Sequence, residues 1–281
     1  MNQKLSFLEE IDALRMKYEQ RLQRSKSDDT ARTYKYEVRR YIQFLGEHEL
    51  ELNQESTQEY MNQCYDKKMA AVTINKIFRA IKNFAKEIER MDIVEDIRVV
   101  KPPNLKNQAP KSLREIERKK IMNEAQDDTL RNLAIITVLL NTGVRVSELV
   151  MLDRSDVIIL DDEGEIKVRH GKGNKERDIP INKKTRDVLS MYLESRTDKS
   201  VALFYGRKGG RLGKRGVQHI MADYGVHAHK FRHTFITDLV RKQFDLVLIQ
   251  TLSGHASMDI LSRYARPSKE DLQGAVEKLY N

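Results

Sequence analysis

Apolar residues recur every three to four positions through most of the first hundred residues, the period of a helix with one buried face. In TYKYEVRRYIQFLG, Tyr34, Val38, Tyr41, Ile42 and Leu45 share a face that stops at Gly46. In TINKIFRAIKNFAKEIER, a second stripe comprises Ile74, Ile77, Phe78, Ile81, Phe84 and Ala85. Between them, STQEYMNQCYDKK predicts a helix capped by Ser56. The pattern predicts a bundle of four or five helices over residues 1–98. The face opposite the second stripe carries Lys76, Arg79, Lys82, Lys86 and Arg90. Such a face is either solvated or turned to a polyanion, and Lys76, Arg79 and Lys82 are its candidate contacts.

The period breaks at VVKPPNLKNQAPKS, which holds three of the five prolines and cannot continue a helix. Residues 99–111 read as an extended basic linker. Ser112-Leu113-Arg114-Glu115 then has the form of a capping box and predicts a helix start. In the second domain, 112–281, RNLAIITVLLNTGVRVSELVML is an apolar helix that breaks at Gly143 and restarts through SEL. VIIL, EIKVRH and ERDIPIN, separated by the turns DDEG and GKGN, predict three short antiparallel strands. Helices resume at KKTRDVLSMYLES. A last one, 268–280, has a Ser268-led cap and an apolar side of Leu272, Ala275, Val276 and Leu279. The fold class is mainly α with a small antiparallel sheet: a helical bundle followed by an α+β domain.

The 281 residues comfortably make two domains, each large enough to bury a core. No apolar run approaches the roughly 18–20 residues that span a bilayer, and the polar, acidic N-terminus resembles no signal or transit peptide. A single cysteine, Cys64, excludes an internal disulfide and any multi-cysteine metal site. These features predict a cytoplasmic, reducing setting. The net charge of +9 is confined to the part of the chain after residue 100. It suits either solubility or attraction to nucleic acid.

The candidate chemistry lies in that basic part. In HAHKFRHTFITDLV, His229, Arg232 and His233 fall within about 100° on a helix, apart from the apolar Phe231, Phe235 and Leu239. Arginine offers a permanent cationic fork to a phosphodiester, and histidine moves a proton near neutral pH. The i, i+4 histidines invite a zinc reading. However, Lys230 stands where the HExxH motif needs glutamate, and no third ligand presents itself. Arg145 follows the helix break at Gly143, and Lys172 occupies a glycine-flanked hairpin turn. The loop YGRKGGRLGKRG adds the basic residues Arg207, Lys208, Arg211, Lys214 and Arg215, candidate phosphate contacts. Its glycines lack the P-loop spacing, so nothing points to ATP. A tyrosine, Tyr264, follows the pair Gly254-His255 by nine residues.

Each signal alone is weak, but their order resembles that of the tyrosine recombinase (phage integrase) family. TGVRVSEL is similar to its first box and GKGNKER to its β-hairpin lysine segment. HKFRH is similar to its His-x-x-Arg box, and SGHAS with the later RY to its terminal box. The resemblance covers Lys111 to Tyr264, and the preceding bundle has the size of the family's core-binding domain. This chain departs in three places: Phe231 and Ser253 stand where leucine is frequent, and Ala265-Arg266-Pro267 follows the tyrosine. None of the three is expected to touch a catalytic position.

The resemblance implies a catalytic set of Arg145, Lys172, His229, Arg232, His255 and the nucleophile Tyr264. Arg145 and Arg232 would clamp the nonbridging oxygens, with His255 donating a further hydrogen bond. His229 would accept the phenolic proton and Lys172 would protonate the departing 5′-oxygen. Glu148 would buttress Arg145, and His233 would pack beside the site. Neither metal nor ATP would be needed, because the bond energy is kept in a 3′-phosphotyrosyl ester. The implied partners are double-stranded DNA with inverted-repeat core sites and three further copies of the chain, acting through a Holliday junction. The final helix could dock on a neighbouring protomer or on its own domain. In size the chain is similar to compact Xer-like members, among which transposon-encoded resolvases of the TnpI type are one candidate. A type IB topoisomerase-like relaxer, a non-catalytic DNA-binding regulator and a metal-dependent phosphoesterase are the competing readings.

Overall fold

A computed structural model describes residues 2–103, 108–169, 176–206, 209–255, 257–267, 269–277 and 279. They form two compact units, Met1–Leu105 and Lys106–Asn281. Both are helical, and the second holds one three-stranded antiparallel sheet, as the pattern predicts. No helix among the described residues is long and apolar enough to cross a membrane.

The first unit contains α1 (Asn2–Ser25), α2 (Asp28–Glu47), α3 (Gln54–Asp66), α4 (Ala71–Glu87) and a 3-10 turn at Met91–Val94. Val38, Tyr41 and Leu45 of α2 interlock with Ile77, Ile81 and Phe84 of α4 in a fully buried core. At roughly 1.5–3 kcal/mol for each large apolar side chain removed from water, this stripe holds the bundle together. Tyr34 and Phe78 are only partly buried, at its margin. Ser56 does not cap α3. The cap is Asn53, whose side chain accepts the Ser56 N–H at 2.9 Å, while Ser56 itself is buried. On the basic face, Lys76 pairs with the buried carboxylate of Glu37 at 3.0 Å. Arg79 and Lys82 are exposed.

The second unit contains α5 (Glu115–Gln126), α6 (Leu130–Thr142), α7 (Val146–Leu149), β1 (Val157–Ile159), β2 (Gly164–Val168), β3 (Arg177–Pro180) and α8 (Lys183–Glu194). It continues through α9 (Lys214–Asp223), α10 (Ala228–Arg241), α11 (Leu246–Ser253), α12 (Met258–Ser262) and α13 (Lys269–Glu277). α6 is the central element. Ala134, Ile135, Ile136, Val138 and Leu139 are completely buried, as expected of a helix that is apolar nearly all round. In the sheet, Ile166 pairs with Val157 on one side and Ile179 on the other, forming an apolar row against the core.

The capping box expected at Ser112 lies two residues later. Leu113 is buried, and its N–H donates to Thr234 Oγ1 at 2.7 Å, which keeps this stretch extended. The helix therefore begins at Glu115, and the Glu117 carboxylate accepts the Arg114 N–H at 2.8 Å. Lys230 of α10 reaches the same carboxylate at 3.0 Å and fastens α5 to α10.

Candidate active site

Two helices, α6 and α11, end in glycines with left-handed backbone, Gly143 at φ +60° and Gly254 at φ +63°. That conformation suits glycine and costs other residues about 1–2 kcal/mol. It also frees carbonyls at the negative ends of both helices, where cations are favoured. Arg232, buried on α10, takes both: it donates to Gly143 O at 2.6 Å and to Ser253 O at 2.7 Å. Arg145, just beyond Gly143, donates to Gly254 O at 3.2 Å. The break in α6 and the end of α11 thus bring together two arginines separated by 87 positions in the chain.

Glu148 stands beneath them. Its carboxylate accepts the Arg145 N–H at 2.8 Å, starting α7, and the Arg145 guanidinium at 2.7 Å. Arg177 of β3 grips the same carboxylate at 2.8 and 3.3 Å and also donates to Leu252 O at 3.1 Å. Burial alone would raise the Glu148 carboxyl, but Arg177 and Arg145 outweigh it and hold it below the ordinary range. Among the described residues, two arginines therefore hold this carboxylate while Arg232 feels its charge, leaving a positive site. Burial, then the charge of Arg145, lowers Arg232 to about 10, so it remains cationic at neutral pH.

His255 follows Gly254 directly. Its Nε2 lies 3.4 Å from Arg232, and its Nδ1 lies 2.7 Å from the Ser253 hydroxyl. Ser253 is completely buried. This departure from the family pattern therefore does touch a candidate catalytic residue, contrary to the expectation from sequence. A hydroxyl fits where leucine would leave Nδ1 without a partner.

Tyr264 follows α12, which Ser257 caps by accepting the Asp259 N–H at 3.1 Å. The phenol ring is buried with Ile236, Ile249 and Leu261, whereas its neighbour Ile260 is exposed and takes no part in this packing. The Tyr264 hydroxyl lies 2.8 Å from His233 Nδ1, and the ring lies 6.2 Å from that of His255. Burial raises its pKa, while the charges of Arg232, Arg263 and Arg145 oppose the rise. His233 and His255 are each pushed down to about 4, first by burial and then by neighbouring positive groups. Both rings are neutral at physiological pH.

Of the residues singled out in the sequence, Arg145, Glu148, Arg232, His233, His255 and Tyr264 converge here. His229 is exposed on α10, one turn before His233, with ring centroids 6.5 Å apart. Lys172, Arg207 and Lys208 lie outside the described residues, as does Ser268. Arg211, though exposed, spends its guanidinium on its own chain, donating to Val150 O and Leu152 O and pairing with Asp153. Lys214 and Arg215 are exposed at the start of α9. Two contributors were missed, Arg177 and Ser253. Both carried a signal: Arg177 shares a face of β3 with the buried Ile179, and Ser253 lies one helical turn after the buried Ile249.

Residues 111–271 match the phage integrase family, and residues 13–95 match the phage integrase N-terminal SAM-like domain. The chain is 33% identical over 262 residues to tyrosine recombinase XerA of Thermococcus kodakarensis, covering 90% of each chain. Its fold is similar to that of XerH site-specific recombinase bound to its difH substrate, with a TM-score of 0.66 at 22% identity. That match covers 88% of this chain and 78% of the other. The Tn1549 transposon integrase in complex with transposon right-end DNA gives a TM-score of 0.68 at 18% identity, covering 95% and 99%.

Proposed function

The chain belongs to the phage integrase family, the tyrosine recombinases, and from that premise we propose that it cleaves and rejoins DNA at specific sites through Tyr264. It is a tyrosine site-specific recombinase that acts on double-stranded DNA. In this reading Tyr264 attacks a backbone phosphate, the 5′-oxygen leaves, and a 3′-phosphotyrosyl ester preserves the bond energy for rejoining through a Holliday junction. Arg145 and Arg232 exchange their carbonyl partners for the nonbridging oxygens, and His255 donates a hydrogen bond to the same group. Lys172 protonates the departing oxygen. His229 stands at the exposed end of the α10 cluster.

One observation carries the proposal: Arg145, Arg232 and His255 meet at the junction of two helix ends, with the Tyr264 ring 6.2 Å from that of His255. That arrangement suits a phosphodiester, since fixed donors stabilise charge as it develops in the transition state. Residues 1–98 act as the core-binding clamp, joined by 99–111 to the catalytic domain 112–281. The remaining exposed cations, Arg79, Lys82, Lys214 and Arg215, track the backbone. The similarity to XerA supports a compact Xer-like member. In the same reading it works in the cytoplasm and resolves or integrates a mobile element at paired inverted repeats.

Assembly as a homotetramer on synapsed DNA is part of the same reading. α13 is tied to α10 by Arg241 and Asp271 at 2.8 Å, yet Leu272, Val276 and Leu279 remain exposed. Phe244, Leu246, Val247 and Leu248, at the start of α11, are exposed too. The apolar side of α13 in one copy fits this surface of the next.

Duplexes selected from a randomised pool for binding supply the sites for the test. A plasmid carrying two selected sites should yield recombinant products in EDTA. Relaxation of a site-free plasmid without recombinants would favour a type IB topoisomerase instead.

A further inference from the structure

The sequence resemblance assigns the phenolic proton to His229, but the structure puts another ring against the phenol. We propose that His233, one turn further along α10, accepts the proton of Tyr264 during cleavage and returns it on rejoining. The inference rests on the reading of Tyr264 as nucleophile and deepens it.

His233 Nδ1 lies 2.8 Å from the Tyr264 hydroxyl, within the range of a direct hydrogen bond, and the two rings are 5.7 Å apart. His229 is exposed and has no hydrogen bond to the phenol among the described residues. The groups that face His233 are His229 and Arg232 from α10, Arg263 and Tyr264 from the segment after α12, and His255 from the end of α11. Burial, together with neighbouring His229 and the charges of Arg232 and Arg263, keeps His233 neutral, so its ring can accept a proton at physiological pH. With the proton on Nε2, Nδ1 is free to receive one from the phenol. An arriving phosphodiester adds negative charge to this pocket and favours the imidazolium.

The step balances without a further reactant. The Tyr264 O–H bond breaks as the O–P bond forms, and the proton passes to His233 Nδ1. The P–O5′ bond breaks, and the leaving oxygen takes a different proton from the general acid. Rejoining reverses each transfer. The contact between Tyr264 and His233 exists before DNA binds, so the nucleophile is stored against its acceptor.

The test uses the full chain and a nicked duplex on which the wild type forms a covalent adduct. Absence of the wild-type adduct would count against the proposed function, whereas the variants below address only His233. Single-turnover cleavage is measured for His233→Asn, His233→Phe and His229→Asn between about pH 6 and about pH 9, alongside duplex binding. Asparagine keeps a hydrogen bond to the phenol but cannot take the proton. His233→Asn should bind DNA normally and cleave about 100-fold more slowly near neutral pH. Its rate should then climb about tenfold per pH unit as hydroxide replaces the lost base, closing the gap to wild type. Wild-type cleavage by His233→Asn, or a deficit constant across pH, would overturn the proposal. So would the same convergence with pH in His229→Asn alone.

Discussion

Glu148 and Arg177 form a buried pair, 2.8 and 3.3 Å between their charged groups, although one lies in the short helix α7 and the other begins β3, 29 residues on. The same carboxylate holds Arg145. Arg177 therefore sets Glu148, and Glu148 sets Arg145, the residue proposed to meet the phosphate. Removing one partner from a buried pair costs up to about 3–5 kcal/mol, and here less, because Arg145 still holds the Glu148 carboxylate. Arg177→Ala should lower the stability of the catalytic unit by that order and reduce adduct formation with it. Denaturant unfolding of Arg177→Ala, Glu148→Ala and the double variant checks this. The pair should show strong non-additivity, and simple additivity would refute the coupling.

Ser253 holds His255 through a hydroxyl where the family pattern has leucine. A net hydrogen bond contributes about 1 kcal/mol, so Ser253→Ala should slow cleavage roughly fivefold while leaving duplex binding unchanged. Ser253→Leu should slow it at least as much, since leucine at this completely buried position must also displace its neighbours. Single-turnover rates decide the matter. Cleavage by Ser253→Leu at the wild-type rate would mean that the hydroxyl does not position His255.

Stability should fall on the acid side of neutrality. His233 and His255 are pushed down to about 4 in the folded chain, against about 6.5 when unfolded. Between those values the unfolded chain binds protons that the folded chain excludes, so stability is complete above about pH 6.5 and is lost as pH drops through the window. After allowance for solvent screening, each ring contributes on the order of 1 kcal/mol. Thermal denaturation between about pH 7 and about pH 5 should show the loss. His233→Asn and His255→Asn should each flatten the slope.

Gly143 is pinned twice. A Cβ there would lie 2.4 Å from the Phe235 ring, and its φ of +60° disfavours any side chain. Gly143→Ala should destabilise the catalytic unit by about 2 kcal/mol or more and displace the carbonyl that meets Arg232. Pairing it with Phe235→Ala should relieve only the steric part. Full rescue, read by thermal denaturation, would show that the backbone conformation carries no strain.

The fold was legible because its signals are local. The stripes of α2 and α4, the all-apolar α6 and the turns around three short strands each follow from spacing within one segment. Arg145, Arg232, His255 and Tyr264 were legible as an ordered set of motifs. What escaped depends on tertiary contacts. Leu113 binds Thr234 and delays the start of α5, an effect that no capping pattern contains. Arg177 takes its role only from Glu148, which lies 29 residues away in the chain and adjacent only in the fold. His233 read as a packing neighbour because helical spacing places it beside His229 but cannot say which ring the distant Tyr264 reaches.

If the proposed function holds, the phenolic oxygen of Tyr264 is the atom that joins DNA. Wild-type protein is incubated in EDTA with a nicked duplex that it binds, digested with protease, and the nucleotide-bearing peptide is sequenced by mass spectrometry. The account predicts a 3′-phosphoryl group on Tyr264 and no adduct from Tyr264→Phe. An adduct on any other residue, or one that persists in Tyr264→Phe, would contradict it.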